Sequence, residues 1–466
     1  MKTFHTGPLA GLMAMALALP VPAFAAGDAE LQSLREELQR IKETYEQRIG
    51  ALEARLARAE SAGSVAPAGG TPNPGVDTRG STAQGASGSE GAFNPAISLT
   101  LGSTYTRLSR DPNRYHIQGF IPGGGEIGPP RRSFGLGESE LSISANVDPT
   151  LRGTFTTSVA PQGGTVDVEE AHIQTLGQGN GLSLKAGRFL SGIGYLNQQH
   201  AHAWHFADAP LAYKAFLDNQ FKTDGVQAKW LAPTDVYLEL GAEAASGGAF
   251  PSSDRNRNGL SVASVFAHVG DDVGNSHSWR GGLSLLSTSP RERPYVDVDS
   301  RGAIASNSFS GTSRTWIADL VWKWAPNGNA GETSFSFLGE YLHRRESGQL
   351  AFDSASVLIP FESTQSGLFA QGVYKFMPHW RAGYRYDRLD SGTPALRLSA
   401  GLSAADFPLL APARPRRDTL MIDFAASEFS LLRAQLARDR SRAGIVDNQF
   451  WLQYVVSLGA HGAHRF

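Results

Sequence analysis

The 466-residue sequence has no cysteine, which removes disulfides and thiolate metal sites. It has no internal run long and apolar enough for a transmembrane helix. It has no G-x-S-x-G elbow, no H-E-x-x-H pair and no phosphate-binding loop, so no enzyme is predicted. A net charge of -2 gives no reason to expect a nucleic-acid partner. Charge is sparse, at 18% of residues against 41% hydrophobic, as expected where half of each strand faces water and half faces apolar surroundings. A large soluble β-protein would share that balance, so the order of residues has to decide.

The chain opens with Lys2, an apolar run from Leu9 to Leu19 and the small-residue pattern Ala23-Phe-Ala25. This reads as a secretory signal peptide over residues 1–25, with the mature chain starting near Ala26. Residues 26–60 follow with a seam of Leu31, Leu34, Leu38, Ile41, Tyr45, Ile49, Leu52, Leu56 and Ala59. Steps of three and four, with one stutter at Tyr45 to Ile49, predict an α-helical coiled coil that self-associates. Residues 61–92, rich in Gly, Ala, Ser, Thr and Pro, cannot bury a core and predict a flexible linker.

From residue 93 to 466 the period becomes two. Leu420, Ile422 and Phe424 alternate with Thr419, Met421 and Asp423; the last segment, Asp447 to Val456, alternates likewise. Sixteen strands are predicted, near 96–107, 136–147, 150–160, 166–176, 181–190, 223–232, 235–245, 260–269, 277–288, 313–325, 332–344, 365–375, 379–389, 417–426, 428–438 and 447–458. Short turns alternate with long connections at 108–135, 191–222, 246–259, 289–312, 345–364 and 390–416. Trp230, Trp279, Trp324, Phe376 and Trp380 sit beside the short turns, as in an interfacial aromatic girdle. The fold class is therefore all-β, a transmembrane antiparallel barrel of sixteen strands preceded by a coiled coil.

Taking the strand aromatics as outward puts Asp319, Lys323, Arg381, Arg385, Asp387, Arg433 and Gln435 inward. Both signs of charge imply a wet lumen, because a charge on the lipid face costs about 2–4 kcal/mol at the midplane. These residues either line a pore or brace the barrel by ion pairs. Glu138 with Glu140, and Glu169 with Glu170, read as lumen or rim charges rather than catalytic pairs. The connection 191–222 is too apolar for a solvated loop, with Leu196, Trp204, Phe206, Leu211, Tyr213 and Phe216, and suits one packed inside. It also carries His200, His202, His205 and Asp208, a set able to ligate zinc or copper at a constriction. The alternative is that these histidines only hydrogen-bond there. His461 and His464 make a second, weaker pair near the C-terminus.

The segments FNPAISL at Phe93, AGRFLSGIGYLN at Ala186, QHAHAWHFADAPLAY at Gln199 and the ending SLGAHGAHRF resemble porin-like outer-membrane proteins of Gram-negative bacteria, some of them described as zinc-regulated. The helix plus linker resembles the periplasmic extension of some carbohydrate and phosphate-selective porins. The resemblance implies residence in the outer membrane, a third long loop folded into the lumen, and trimers. It also implies a terminal aromatic, Phe466, read by the barrel assembly machinery. The expected function is passive diffusion of small hydrophilic solutes or ions, linked to metal acquisition. No cofactor is required, and weak, reversible zinc binding is expected. The competing expectation is a plugged barrel that binds or tethers a partner through its periplasmic coiled coil.

Overall fold

The computed structural model describes residues 95–124, 127–159, 165–177, 179–252, 258–353, 357–398 and 401–459. The predicted signal peptide, coiled coil and linker, His461, His464 and Phe466 lie outside the described residues. Among the described residues, nineteen strands form one sheet. They are β1 (Ala96–Leu108), β2 (Ser133–Leu136), β3 (Ser139–Asp148), β4 (Leu151–Val159), β5 (Val166–Thr175), β6 (Leu182–Leu190) and β7 (Lys222–Leu231). Next come β8 (Tyr237–Ala245), β9 (Val262–Val273), β10 (His277–Thr288), β11 (Arg293–Val298), β12 (Ile304–Trp324) and β13 (Ser334–Phe352). The last are β14 (Val357–Met377), β15 (Trp380–Asp390), β16 (Ala395–Leu396), β17 (Arg416–Ser427), β18 (Ser430–Arg440) and β19 (Asp447–Gly459).

The ring closes where β1 pairs antiparallel with β19, from Ser98 opposite Gly459 to Leu108 opposite Gln449. Three short strands only extend others: β2 continues β3 along β1, β11 pairs with β12, and β16 pairs with β14. Removing these three from nineteen leaves a closed barrel of sixteen antiparallel strands. Each predicted strand has its counterpart in this ring.

Two of the expected long connections differ. Residues 289–312 and 345–364 are mostly strand, because β12, β13 and β14 run 21, 19 and 21 residues. Here Arg345, Ser347 and Gln349 point outward, so the outer face is polar and the apolar alternation that marks a membrane strand fades. The inner face continues as Phe309, Leu350, Ile359 and Phe361 and packs against Phe407, Leu409 and Leu410 of an in-folded connection.

The outer face is apolar along many strands, with Leu283, Leu320, Leu420, Ile422 and Leu436 exposed. Such a band suits hydrocarbon. Trp279 lies opposite Trp322, and Trp380 opposite Phe424, all on outward positions beside short turns. Inside, a core assembles from connections rather than from sheet on sheet. Ile193, Leu196, Leu211, Phe216 and Phe221 pack against inward Phe266, Leu286, Ile317, Leu342 and Phe369.

Candidate constriction and lumenal vestibule

The connection between β6 and β7, residues 191–221, is folded into the lumen as its apolar content predicts. Its base is closed by Asn197, whose amide donates to the Ser191 and Phe221 carbonyls (2.9 Å each) while its oxygen accepts from Phe221 N (2.7 Å). One short helix, α1 (Leu211–Leu217), is buried throughout. On β13, Glu340 accepts from Tyr195 N (3.1 Å), Leu196 N (2.8 Å) and the Tyr213 hydroxyl (2.8 Å). Gly194 makes this approach feasible: its φ is 63°, and a Cβ there would lie 2.7 Å from Glu340 Oε2.

From that anchor the loop crosses to the wall formed by β3 and β5. His200 Nδ1 lies 3.1 Å from Glu140 Oε2 and 3.2 Å from Glu169 Oε2, and its Nε2 lies 3.1 Å from Glu170 Oε2. His202 Nδ1 is 3.2 Å from the same Glu140 oxygen. The segment forms a 3-10 turn over Ala201–Ala203, and the two imidazoles stack with centroids 5.8 Å apart. Burial disfavours the His200 imidazolium, but Glu140, Glu169 and Glu170 outweigh it and hold this group well above its ordinary value.

The loop then reaches a wall of opposite sign. Asp208 pairs with Arg417, with Lys214 Nζ (2.8 Å) and with Arg385 Nη2 (3.2 Å), and accepts from Gln435 Nε2 (3.1 Å). Arg385 also donates to the Asp208 carbonyl (2.7 Å) and to Asp387 (3.0 Å), and lies over the Phe206 ring. Burial penalises the Asp208 carboxylate, yet Arg417, Lys214 and Arg385 hold it well below the usual carboxylate range.

The four expected metal ligands are therefore not one group. His200 and His202 join glutamates on β3 and β5, Asp208 joins guanidinium groups on β15 and β17, and His205 stands apart at 3.4 Å from Ser336. Period-two geometry cannot gather them, because the 3-10 turn at Ala201–Ala203 and the bends over 204–208 redirect the chain between them. Burial, together with Arg381 and Arg433, pushes His205 down to about 3.

Below the loop, toward the short turns, lies a cavity of about 700 Å³. His205, Lys323, Lys375, Arg381, Arg433 and Glu428 line it. Of the predicted inward residues, Lys323, Arg381 and Arg433 reach this cavity; the two arginines share Asp423 (2.7 and 2.8 Å). Arg385, Asp387 and Gln435 are buried beneath the loop, and Asp319 is buried on the inner wall.

Glu140, Glu169 and Glu170 read from the sequence only as lumen or rim charges, and no sequence pattern marked Glu340 or Arg417. The glutamates on β5 escaped for a physical reason. Thr156 pairs with Glu170 and Thr157 with Val168, so Glu169 is the extra residue of a β-bulge. A bulge sets two consecutive side chains toward one face, which strict alternation forbids. The Glu-Glu dipeptide inside an otherwise alternating strand was the available signal.

No protein-family model matches the chain. It is 33% identical over 413 residues to an uncharacterized protein of Aquifex aeolicus (strain VF5), covering 81% of each chain. The chain belongs to the family of that protein. Solved structures that resemble it include the loop L8 deletion mutant of OmpT, an outer membrane protein of Vibrio cholerae. That match has a TM-score of 0.49 and 11% identity and covers 79% of this chain and 100% of that one. The anion-selective porin from Comamonas acidovorans gives a TM-score of 0.45 at 12% identity, covering 79% and 100%. The outer membrane channel DcaP of Acinetobacter baumannii gives 0.45 at 9%, covering 78% and 97%. The barrel is defined by its own hydrogen-bonded ladder, independently of these likenesses.

Proposed function

We propose that this family member is a porin-like outer-membrane channel, narrowed by residues 191–221, through which small hydrophilic solutes or ions diffuse passively. The observation that supports it most is a sixteen-stranded ring with an inserted loop above a cavity that charged side chains reach. Barrels of this size have room for water as well as side chains. The N-terminal segment is periplasmic in this reading and joins chains into trimers through Leu31 to Leu56. Lipid of the outer membrane and the barrel assembly machinery, reading Phe466, are its other partners. Metal acquisition is the setting implied by the sequence resemblance.

A second reading has a specific observation in its favour. Phe120, Phe216, Phe309 and Phe407 are fully buried inside the ring, and such apolar packing is what a plugged barrel that binds or tethers would have. Single-channel recording of the purified protein in planar bilayers separates the two. A channel gives small, steady, reproducible conductance steps; a silent bilayer with folded protein incorporated supports the plugged barrel.

A further inference from the structure

We infer that Glu140 Oε2, Glu169 Oε2 and His200 Nδ1 bind one divalent first-row transition-metal ion, with His202 Nδ1 beside Glu140. One donor atom from each of Glu140, Glu169 and His200 lies within 4.8 Å of the other two. The Nδ1 to Glu140 and Nδ1 to Glu169 separations are 3.1 and 3.2 Å, and His202 Nδ1 is 3.2 Å from Glu140. Donors about 2.0–2.1 Å from a tetrahedral ion stand about 3.3 Å apart, so the spacing is that of a ligand set.

A second observation is independent of spacing. Glu140 is 6% exposed, and its Oε2 accepts no hydrogen bond although two imidazole nitrogens lie close by. A buried carboxylate oxygen at ligand distance from two imidazole nitrogens, yet without good hydrogen-bond geometry, is a position that a metal ion would satisfy. The surroundings also have the outer shell a metal site needs. Glu170 Oε2, 3.1 Å from His200 Nε2, holds the proton on the far nitrogen and so presents the Nδ1 lone pair to the other ligands. Ser158 donates to Glu169 Oε1 (2.9 Å), leaving Oε2 for the ion.

Charge points the same way. Three carboxylates converge here, and a divalent ion beside a neutral imidazole supplies more positive charge than an imidazolium alone. Imidazole with carboxylate suits zinc, iron, cobalt or nickel, whereas magnesium and calcium prefer oxygen donors throughout. Bound there, the ion ties residues 200–202 of the loop to β3 and β5 together. The site does not depend on whether the barrel conducts.

The test uses full-length, tag-free protein, folded in detergent and stripped with chelator. Zn²⁺ is titrated by calorimetry, and Co²⁺ by visible absorption. One saturable Zn²⁺ site per chain is expected, with a Co²⁺ spectrum of low coordination number and no competition from Mg²⁺ or Ca²⁺. E140Q and H200Q lose detectable binding, E170Q weakens it by about 10–100-fold, and H205Q keeps it. Heat-modifiable gel mobility checks that each variant is folded. If E140Q or H200Q fails to fold, E170Q and the wild-type Co²⁺ spectrum decide. Absence of a saturable site in folded wild type, equal affinity in E140Q and H200Q, or unweakened binding in E170Q overturns the assignment, as does loss of binding in H205Q. Because conductance is not a readout, failure here leaves the channel reading standing, and a silent bilayer leaves this site standing.

Discussion

The two ends of the inserted loop are anchored by opposite logic. At Asp208 one carboxylate meets three cations, and those cations have further anions in Asp387 and Asp439. At His200 one imidazole meets three carboxylates, and Glu140 Oε2 is left without a hydrogen bond. The first pole matches three cations with three carboxylates; at the second, three carboxylates converge on the His200 imidazole. A loop held in this way has one structural end and one end able to respond to solution conditions.

The largest effect should come from breaking the balanced pole. Asp208→Asn leaves Arg417, Arg385 and Lys214 buried around a neutral group, and uncompensated buried charge costs about 3–5 kcal/mol. Hydrogen exchange of residues 204–217, read by mass spectrometry, should speed up accordingly while strand peptides stay protected. Unchanged exchange would mean that apolar packing of α1, rather than Asp208, seats this half of the loop. His200→Ala should cost less, about 1.5–3 kcal/mol, because Glu340 and Asn197 still hold the neighbouring turn. A larger loss at residues 196–203 than Asp208→Asn causes at its own end would reverse the ranking of the two poles.

The barrel was legible because its constraint is repetitive. Inward Asp319, Lys323 and Arg385 followed from outward Trp322 and Trp380 by parity alone. The burial of residues 191–221 was legible because Leu196, Trp204 and Phe216 have no place in water. The pairing of the loop with the wall was not legible. It depends on the bulge at Glu169, on the 3-10 turn at Ala201–Ala203 and on Glu340, a lone carboxylate on a strand 145 residues from Tyr195. Grouping His200, His202, His205 and Asp208 assumed that closeness in sequence is closeness in space, and the 3-10 turn at Ala201–Ala203 with the bends that follow it defeats that assumption.

The vestibule extends the comparison below the loop. Lys323, Lys375, Arg381 and Arg433 face it, against Glu428 on the lining and Asp423 between the arginines. If the barrel conducts, reversal potentials in a salt gradient should show a preference for anions, and Lys323→Glu with Lys375→Glu should remove or invert it. A cation preference in the wild type would show that the carboxylates around His200, not the vestibule, control entry.

The smallest effect is also the one that sets the two poles against each other most directly. His205 has a folded-state value near 3, below its ordinary value of about 6.5, so the released loop binds a proton more readily than the seated one. Its contribution is therefore complete above pH 6.5 and fades as pH falls toward 3. Because the imidazole borders a cavity rather than solid core, the loss by pH 5.5 should be at most about 1 kcal/mol. His200 has the opposite sign. Its raised value makes its contribution complete below pH 6.5, and that contribution is lost as pH rises through the raised value. In chelator-treated protein, acidification from pH 7.5 to 5.5 should therefore loosen residues 203–207 and tighten residues 197–202, after correction for intrinsic exchange. His205→Gln should abolish the first change and leave the second. If both segments move in the same direction, the two histidines are not in the opposed electrostatic surroundings that the ion pairs describe.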